Sequence, residues 1–327
     1  MSQSLNWGLL GTARINRSII PPLRLSVRNN LLAVASRTQE KADAYAKEWS
    51  IPRAHGSYEA LLADPDIDVI YIPLPNQFHA EWAIKAAEAG KHVLCEKPLA
   101  LSVADVDAMT TAAEKAGTFL VEAFMYRFHQ RTLKIKDMIE SGEIGDVHHV
   151  KGAFTFPLNR PKDVRWDPNL GGGSLWDVGC YPLSFSRYVI GSEPQEVFAY
   201  QHVGDSGIDE SFSAQLLFAN GVTAQFDSGF RSQFRMHTEV TGSKASLFIP
   251  MTFKPEQRCY IHIQKGNNTE YVAVDGSHLY VDEVEHVADA VLDGVPSLLP
   301  LSDSRNNIKT ILALYESART HNVVKLV

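Results

Sequence analysis

The sequence predicts an α/β fold in two parts. The first is a parallel sheet interleaved with helices; the second is an α+β part built on a mostly antiparallel open sheet. Three observations carry this. Short apolar runs at Leu5–Leu10, Leu31–Ala35, Ile67–Ile72, His92–Cys95 and Thr118–Glu122 alternate with segments of helical period, the mark of βαβ units. From Glu196 to Val274 the pattern changes to strand-like alternation without intervening helices. The chain of 327 residues is long for one domain, and roughly 150 residues per domain suggests two. The expected division is residues 1–123 and 124–327.

Composition narrows the class. Hydrophobic residues at 45% and charged residues at 21% are ordinary for a globular protein. A net charge of −7 gives no basic footprint, so no nucleic-acid partner is expected. Cys95, Cys180 and Cys259 are odd in number and form no CxxC pair, which argues against a disulfide framework and a cysteine zinc site. The first residues show no basic stretch followed by an apolar run, so neither a secretory signal nor a membrane partner is expected. A cytoplasmic location is the default.

The first strand, Leu5–Leu10, runs into Gly11-Thr12-Ala13-Arg14-Ile15-Asn16 and an amphipathic segment to about Ser26. A strand, a tight glycine turn and a helix start present backbone N–H groups and the positive helix end to a pyrophosphate. Read as G-x-G-x-x-G, the motif has Ala13 at its second glycine and Asn16 at its third, so context must carry it. That context is the alternation of strands with helices at about Gln39–Trp49, Asn76–Ala89 and Ser102–Ala116, the last with Ser102 as N-cap and Gly117 at its end. The first part therefore reads as a Rossmann-type dinucleotide-binding domain, with Gly11, Thr12, Ala13, Arg14 and Ile15 around the phosphates.

Where NAD sites place an acidic residue after the second strand, this chain has Ser36 and Arg37, with Lys41 one helical turn on. A guanidinium pairs with a 2′-phosphate that a carboxylate repels, so NADP is expected ahead of NAD. Pro73-Leu74-Pro75-Asn76 stiffens a loop at the same sheet edge. Asn76 is read as a helix cap beside the cofactor, and His79 as a first-turn residue near it.

Val93-Leu94-Cys95-Glu96-Lys97-Pro98-Leu99 is an apolar strand that ends in a carboxylate, an amine and a proline. Ligands in open α/β sheets sit beyond the carboxyl ends of strands. Lys97 is thus well sited to act on a substrate; a surface turn with two solvated charges is the alternative reading.

In the second part, Arg131–Ser141 reads as a helix ended by Gly142, and Val147–Phe156 as a long strand. A loop bearing Arg165 and Trp166 follows, then Gly171-Gly172-Gly173, whose backbone can approach a ligand closely, and a helix carrying Asp177 and Tyr181. Four apart, those two share a helix face. A phenol with a pKa near ~10 is a poor base unless a cation such as a lysine ammonium lowers it. A hairpin is expected about Asn220-Gly221, with further strands at 235–241, 246–249, 260–264 and 270–274. Helices at 282–292 and 302–319 close the chain. His148, His149, His278 and His286 show no metal-ligand spacing, and no metal is expected.

With Gly11-Thr12-Ala13, Ser36-Arg37, Pro75-Asn76-x-x-His79 and Glu96-Lys97-Pro98 read, the chain resembles the Gfo/Idh/MocA oxidoreductases over nearly its whole length. The segment from Glu122 to His129 is similar to the dihydrodiol dehydrogenase and NADP-dependent xylose dehydrogenase branch. The resemblance implies a nicotinamide enzyme acting on a sugar, cyclic polyol or dihydrodiol, with Lys97 beside the nicotinamide and often a cis bond before Pro98. It implies Arg127 near the cofactor, with a structural ion pair as the alternative, and a homo-oligomer (dimer or tetramer) formed through the second sheet. Tyr181 departs from the histidine of the inositol dehydrogenase type, which argues against inositol as substrate. On this reading Tyr181 moves the hydroxyl proton with Lys97 lowering its pKa, or Lys97 does so itself. Asp177 binds substrate or orients the pair, Glu96 orients Lys97 or the nicotinamide, and Arg165 and Trp166 face substrate or nicotinamide. The rivals are a non-catalytic NADP sensor, a keto-sugar reductase and an oxidoreductase that cycles a permanently bound cofactor between two sugars.

Overall fold

The computed structural model describes residues 4–326. It divides into two compact units, residues 4–128 with 278–305, and 129–277 with 306–326.

The first unit holds a six-stranded parallel sheet. Its strands are β1 (Leu5–Leu10), β2 (Asn29–Ala35), β3 (Arg53–His55), β4 (Val69–Ile72), β5 (His92–Glu96) and β6 (Leu120–Ala123). Their order is β3-β2-β1-β4-β5-β6, so the direction of winding reverses between β1 and β4. Helices α1 (Asn16–Leu25), α2 (Gln39–Trp49), α3 (Tyr58–Leu62), α4 (His79–Glu88) and α5 (Val103–Ala116) connect them. Every residue of β4 and β6 is buried, as a parallel sheet covered on both faces requires. The ends of α5 follow the sequence reading. Ser102 Oγ accepts from Asp105 N at 3.1 Å, and Gly117 closes the helix in the left-handed conformation.

Two elements here were not expected. The pieces β3 and α3 have three and five residues, too short to show a period. Asn76 does not cap α4: it opens a 3-10 turn, Asn76–Phe78, and α4 starts after it at His79.

The second unit is built on a nine-stranded sheet. It contains β7 (Val147–Thr155), β8 (Glu196–Val203), β9 (Asp209–Leu217), β10 (Thr223–Gly229), β11 (Arg235–Gly242), β12 (Ser246–Pro250), β13 (Arg258–Lys265), β14 (Asn268–Asp275) and β15 (Val324–Lys325). The order is β14-β13-β12-β11-β7-β10-β9-β8-β15, antiparallel except where β10 runs parallel to β7. The expected hairpin is β9–β10, with Gln215 opposite Gln225. Helices α6 (Gln130–Glu140) and α7 (Cys180–Ile190) belong to this unit. The sheet's other face is open and exposes Tyr200, Phe248, Tyr260 and Tyr271.

Helix α8 (Val281–Asp293) belongs with the first unit, unlike the division at residue 123 read from the sequence. Three contacts tie it there. Arg28 meets Asp289 and Asp293 at 2.5 Å each, and Asn29 Nδ2 donates to the Val284 carbonyl at 3.2 Å. Asn29 Oδ1 in turn accepts from Trp7 Nε1 at 2.7 Å, so buried polar groups run from β1 to α8. Helix α9 (Leu301–Thr320) starts in the first unit and ends in the second.

Candidate functional site

In the first unit the candidate residues collect at the carboxyl edge of β1, β2, β4 and β5. The turn after β1 needs its glycine: Gly11 has φ +124°, and a Cβ there would press on Leu74 Cδ2 at 3.2 Å. Asn16, at the place of the missing third glycine, is fully buried and donates from Nδ2 to the Gly11 carbonyl at 2.8 Å. A side chain thus closes the turn that the fingerprint closes with backbone alone. Among the described residues, the N–H groups of Thr12, Ala13, Arg14 and Ile15 donate to no backbone carbonyl. Unpaired donors ahead of a helix are chemically suited to an anion.

Beyond β2, the backbone N–H of buried Ser36 donates to the His55 carbonyl at 3.0 Å, while Arg37 and Lys41 are exposed. Thr38 Oγ1 caps α2 by accepting from Lys41 N at 3.4 Å. Tyr58, which sequence reasoning passed over, belongs to this edge. Its hydroxyl would lie 3.6 Å from a Cβ on Gly11, and its ring meets Trp82 edge-on at 4.9 Å. Burial raises the Tyr58 pKa, and the charge of Arg37 pulls it back.

Glu96 ends β5 and accepts at Oε1 from the Tyr71 hydroxyl at 2.5 Å. The Lys97–Pro98 peptide is cis, as the family resemblance implies. Pro73 is buried and Leu74 half-buried on the neighbouring loop.

His79 corrects the sequence reading. It is fully buried, with Nδ1 2.8 Å from the Pro98 carbonyl and Nε2 2.8 Å from the Leu74 carbonyl, so it presents no surface to a cofactor. Burial lowers its pKa against the pull of those carbonyls. Arg127 takes its alternative role: it is 4% exposed and pairs with Asp303 at 3.1 Å.

In the second unit, Asp177 lies in a π-helical turn, Leu175–Gly179, and Tyr181 in the first turn of α7. Arg165 Nε donates to Asp177 Oδ2 at 2.6 Å, and its Nη1 reaches Asp163 Oδ1 at 3.0 Å. The Asp177 charge raises the Arg165 pKa further. Tyr181 is 5% exposed, its ring 5.5 Å from that of Phe154 and 5.4 Å from that of Phe253. Trp166 is half-buried, donates to the Arg160 carbonyl at 2.9 Å and meets Phe230 edge-on.

The glycine run serves the fold more than a ligand. Gly173 has φ +122°, and a Cβ there would overlap the Asp209 carboxyl. Asp209 was not legible as a site residue. Buried, it accepts from Tyr315 OH at 2.7 Å, Ser174 Oγ at 2.8 Å and Leu175 N at 2.8 Å. It anchors the start of the turn that carries Asp177. Burial pushes its pKa up to about 6, against those hydrogen bonds. Among the described residues, no cluster of three or more His, Cys, Asp or Glu side chains could hold a metal ion.

A parallel sheet with a glycine turn at its switch point has the architecture of a dinucleotide-binding α/β protein. The chain belongs to the Gfo/Idh/MocA oxidoreductase family. Residues 5–124 match the oxidoreductase family with an NAD-binding Rossmann fold, and residues 132–248 match the GFO/IDH/MocA C-terminal domain. The chain is 39% identical to a D-xylose 1-dehydrogenase (NADP(+)) of Haloferax volcanii, over 98% of this chain and 99% of that one. It is 33% identical to a trans-1,2-dihydrobenzene-1,2-diol dehydrogenase of Xenopus laevis, over 91% and 93% respectively. Its fold is similar to that of an aldose–aldose oxidoreductase of Caulobacter crescentus crystallised with glycerol. That match has a TM-score of 0.92 and 30% identity, covering 99% of this chain and 100% of that one.

Proposed function

We propose that the protein oxidises a carbinol carbon of a small sugar to the carbonyl, or reduces that carbonyl back to the carbinol, with NADP as cofactor. The observation that carries this reading is the full-length 39% identity to an NADP-dependent xylose dehydrogenase, with Glu96-Lys97-Pro98 intact in this chain. The cofactor would supply or accept the hydride. Thr12 to Ile15 would hold its diphosphate, and Ser36, Arg37 and Lys41 its 2′-phosphate, for which exposed cations with no acidic residue at Ser36 are suited.

Tyr181 takes the proton of the reacting hydroxyl in oxidation and returns it in reduction. Lys97 is the alternative acid–base for the same proton. Asp177 is held as a carboxylate by Arg165 and accepts a hydrogen bond from a second substrate hydroxyl. Glu96, fixed by Tyr71, steers Lys97 or the nicotinamide.

The open face of the second sheet is covered by a second copy of the chain; exposed Tyr200, Phe248, Tyr260 and Tyr271 support that reading. The protein works in the cytoplasm, which its three buried free thiols suit. Among the described residues, no helix is long and apolar enough to cross a membrane.

The test is reduction of NADP⁺ and, separately, of NAD⁺ with a panel of aldoses, inositols and a trans-dihydrodiol. Turnover of an aldose with NADP⁺ preferred is the expected result. Turnover of the dihydrodiol alone, or preference for NAD⁺, overturns the substrate or the cofactor assignment respectively.

A further inference from the structure

The residue that follows Lys97 is held at both polar ends of its next peptide. The carbonyl of Pro98 lies 2.8 Å from His79 Nδ1, and the N–H of Leu99 donates to Glu122 Oε1 at 2.8 Å. Those two atoms belong to one peptide unit. His79, Glu122 and Leu99 are fully buried, and Pro98 is buried. The other ring nitrogen of His79 reaches the Leu74 carbonyl, on the loop that also flanks Gly11.

We propose that His79 and Glu122 are positioning residues that grip the Pro98–Leu99 peptide from its two ends and so fix where the Lys97 side chain starts. Three features carry this. A buried imidazole and a buried carboxyl are costly unless their hydrogen bonds are made; Glu122 spends one on this peptide, and the tautomer of His79 with the proton on Nδ1 spends its own there too. Carbonyls only accept, so every N–H that the ring carries is used on one of the two loops. His79 comes from α4 and Glu122 from β6, while the gripped peptide follows the end of β5, so the grip sets the Lys97 backbone against the sheet rather than against its own turn. The consequence for catalysis rests on the proposed role of Lys97. A misplacement of ~1 Å at such a group costs roughly a hundredfold in rate.

The ring geometry supplies its own controls. An asparagine amide nitrogen reaches the place of Nδ1 and keeps the Pro98 contact; a glutamine amide nitrogen reaches the place of Nε2 and keeps only the Leu74 contact. In the full chain, His79→Asn should hold kcat within roughly threefold of wild type, while His79→Gln should lose roughly a hundredfold. A second readout needs no turnover: acetylation of Lys97 by acetic anhydride, followed against pH by peptide mass spectrometry. Its pH profile should shift in His79→Gln and stay in place in His79→Asn. If the position does not tolerate either residue, Glu122→Gln (which keeps an acceptor for Leu99 N–H) and Glu122→Met give the same contrast from the other end. Equal losses in each pair, with the Lys97 profile unmoved, overturn the grip. A wild-type protein with no turnover on the sugar panel counts against the functional reading alone, because the labelling profile still tests the grip.

Discussion

Arg165 Nε donates to Asp177 Oδ2 at 2.6 Å while the same guanidinium holds Asp163 at 3.0 Å. One fork thus ties the loop before the glycine run to the turn after it. A carboxyl so engaged is fixed in place. Arg165→Met should remove this fork from Asp177 and lower kcat/KM at least tenfold, about 1.4 kcal/mol. Arg165→Lys should not restore it, since a point charge cannot span both carboxylates. A double-mutant cycle with Asp177→Asn measures the coupling, expected at about 1–3 kcal/mol. Additive losses would show that the two act separately.

Asn16 replaces a fingerprint glycine and donates to the Gly11 carbonyl from a fully buried position. Asn16→Ala should cost about 1–2 kcal/mol of stability through the orphaned carbonyl and raise the Kd for NADP several-fold, because the turn loosens. Isothermal titration with NADP⁺ beside thermal unfolding checks this. An unchanged Kd would mean that the turn holds itself.

Two buried groups of the second unit titrate with opposite effects on stability. His129 caps α6, accepting at Nδ1 from Arg131 N at 3.1 Å, and burial lowers its pKa to about 4. At pH 5 the unfolded chain binds a proton there and the folded chain does not. Its contribution is therefore present above ~6.5 and lost as pH falls through about 4. Asp209, with a folded pKa of about 6, behaves in reverse: its contribution is present below about 4 and lost as pH rises through about 6. Asp209→Asn should steepen the loss of stability on acidification from pH 6 to 4, and His129→Asn should flatten it. Chemical denaturation at several pH values reads both slopes. Slopes that match wild type in both variants would contradict these assignments.

Glu283 is 1% exposed and, among the described residues, neither of its carboxyl oxygens has a hydrogen-bond partner; burial first, and the charge of Glu96 second, push its pKa well up. The folded state therefore favours the neutral acid, and its contribution falls as pH rises above the unfolded value. Glu283→Met should stabilise the cofactor-free protein by about 1 kcal/mol or more at pH 8 and leave it unchanged near pH 4. A loss of stability at pH 8 would indicate that Glu283 stays charged and partnered.

The sequence was most legible where physics is local. The runs of β1, β4 and β5, the Ser102 cap, the Gly117 stop and the hairpin after Leu217 all follow from period or turn chemistry within a few residues. Around the candidate site, the backbone is legible where a motif compresses it, as at the glycine turn of Gly11 and the cis bond before Pro98. The rest depends on contacts that leave no local pattern. Asp209 reaches the Ser174–Leu175 turn from 34 residues away, and α8 joins a sheet whose strands ended some 150 residues earlier. His79 is such a case: its place beside the cofactor loop was legible, but its burial between two carbonyls was not.

The most direct test of the account is Lys97→Met, followed by NADP⁺ reduction with the aldose that wild type turns over best, alongside NADP⁺ binding by fluorescence. The account predicts a loss of kcat of at least a thousandfold, about 4 kcal/mol, with the Kd for NADP⁺ within a few-fold of wild type. Turnover near the wild-type rate would contradict it.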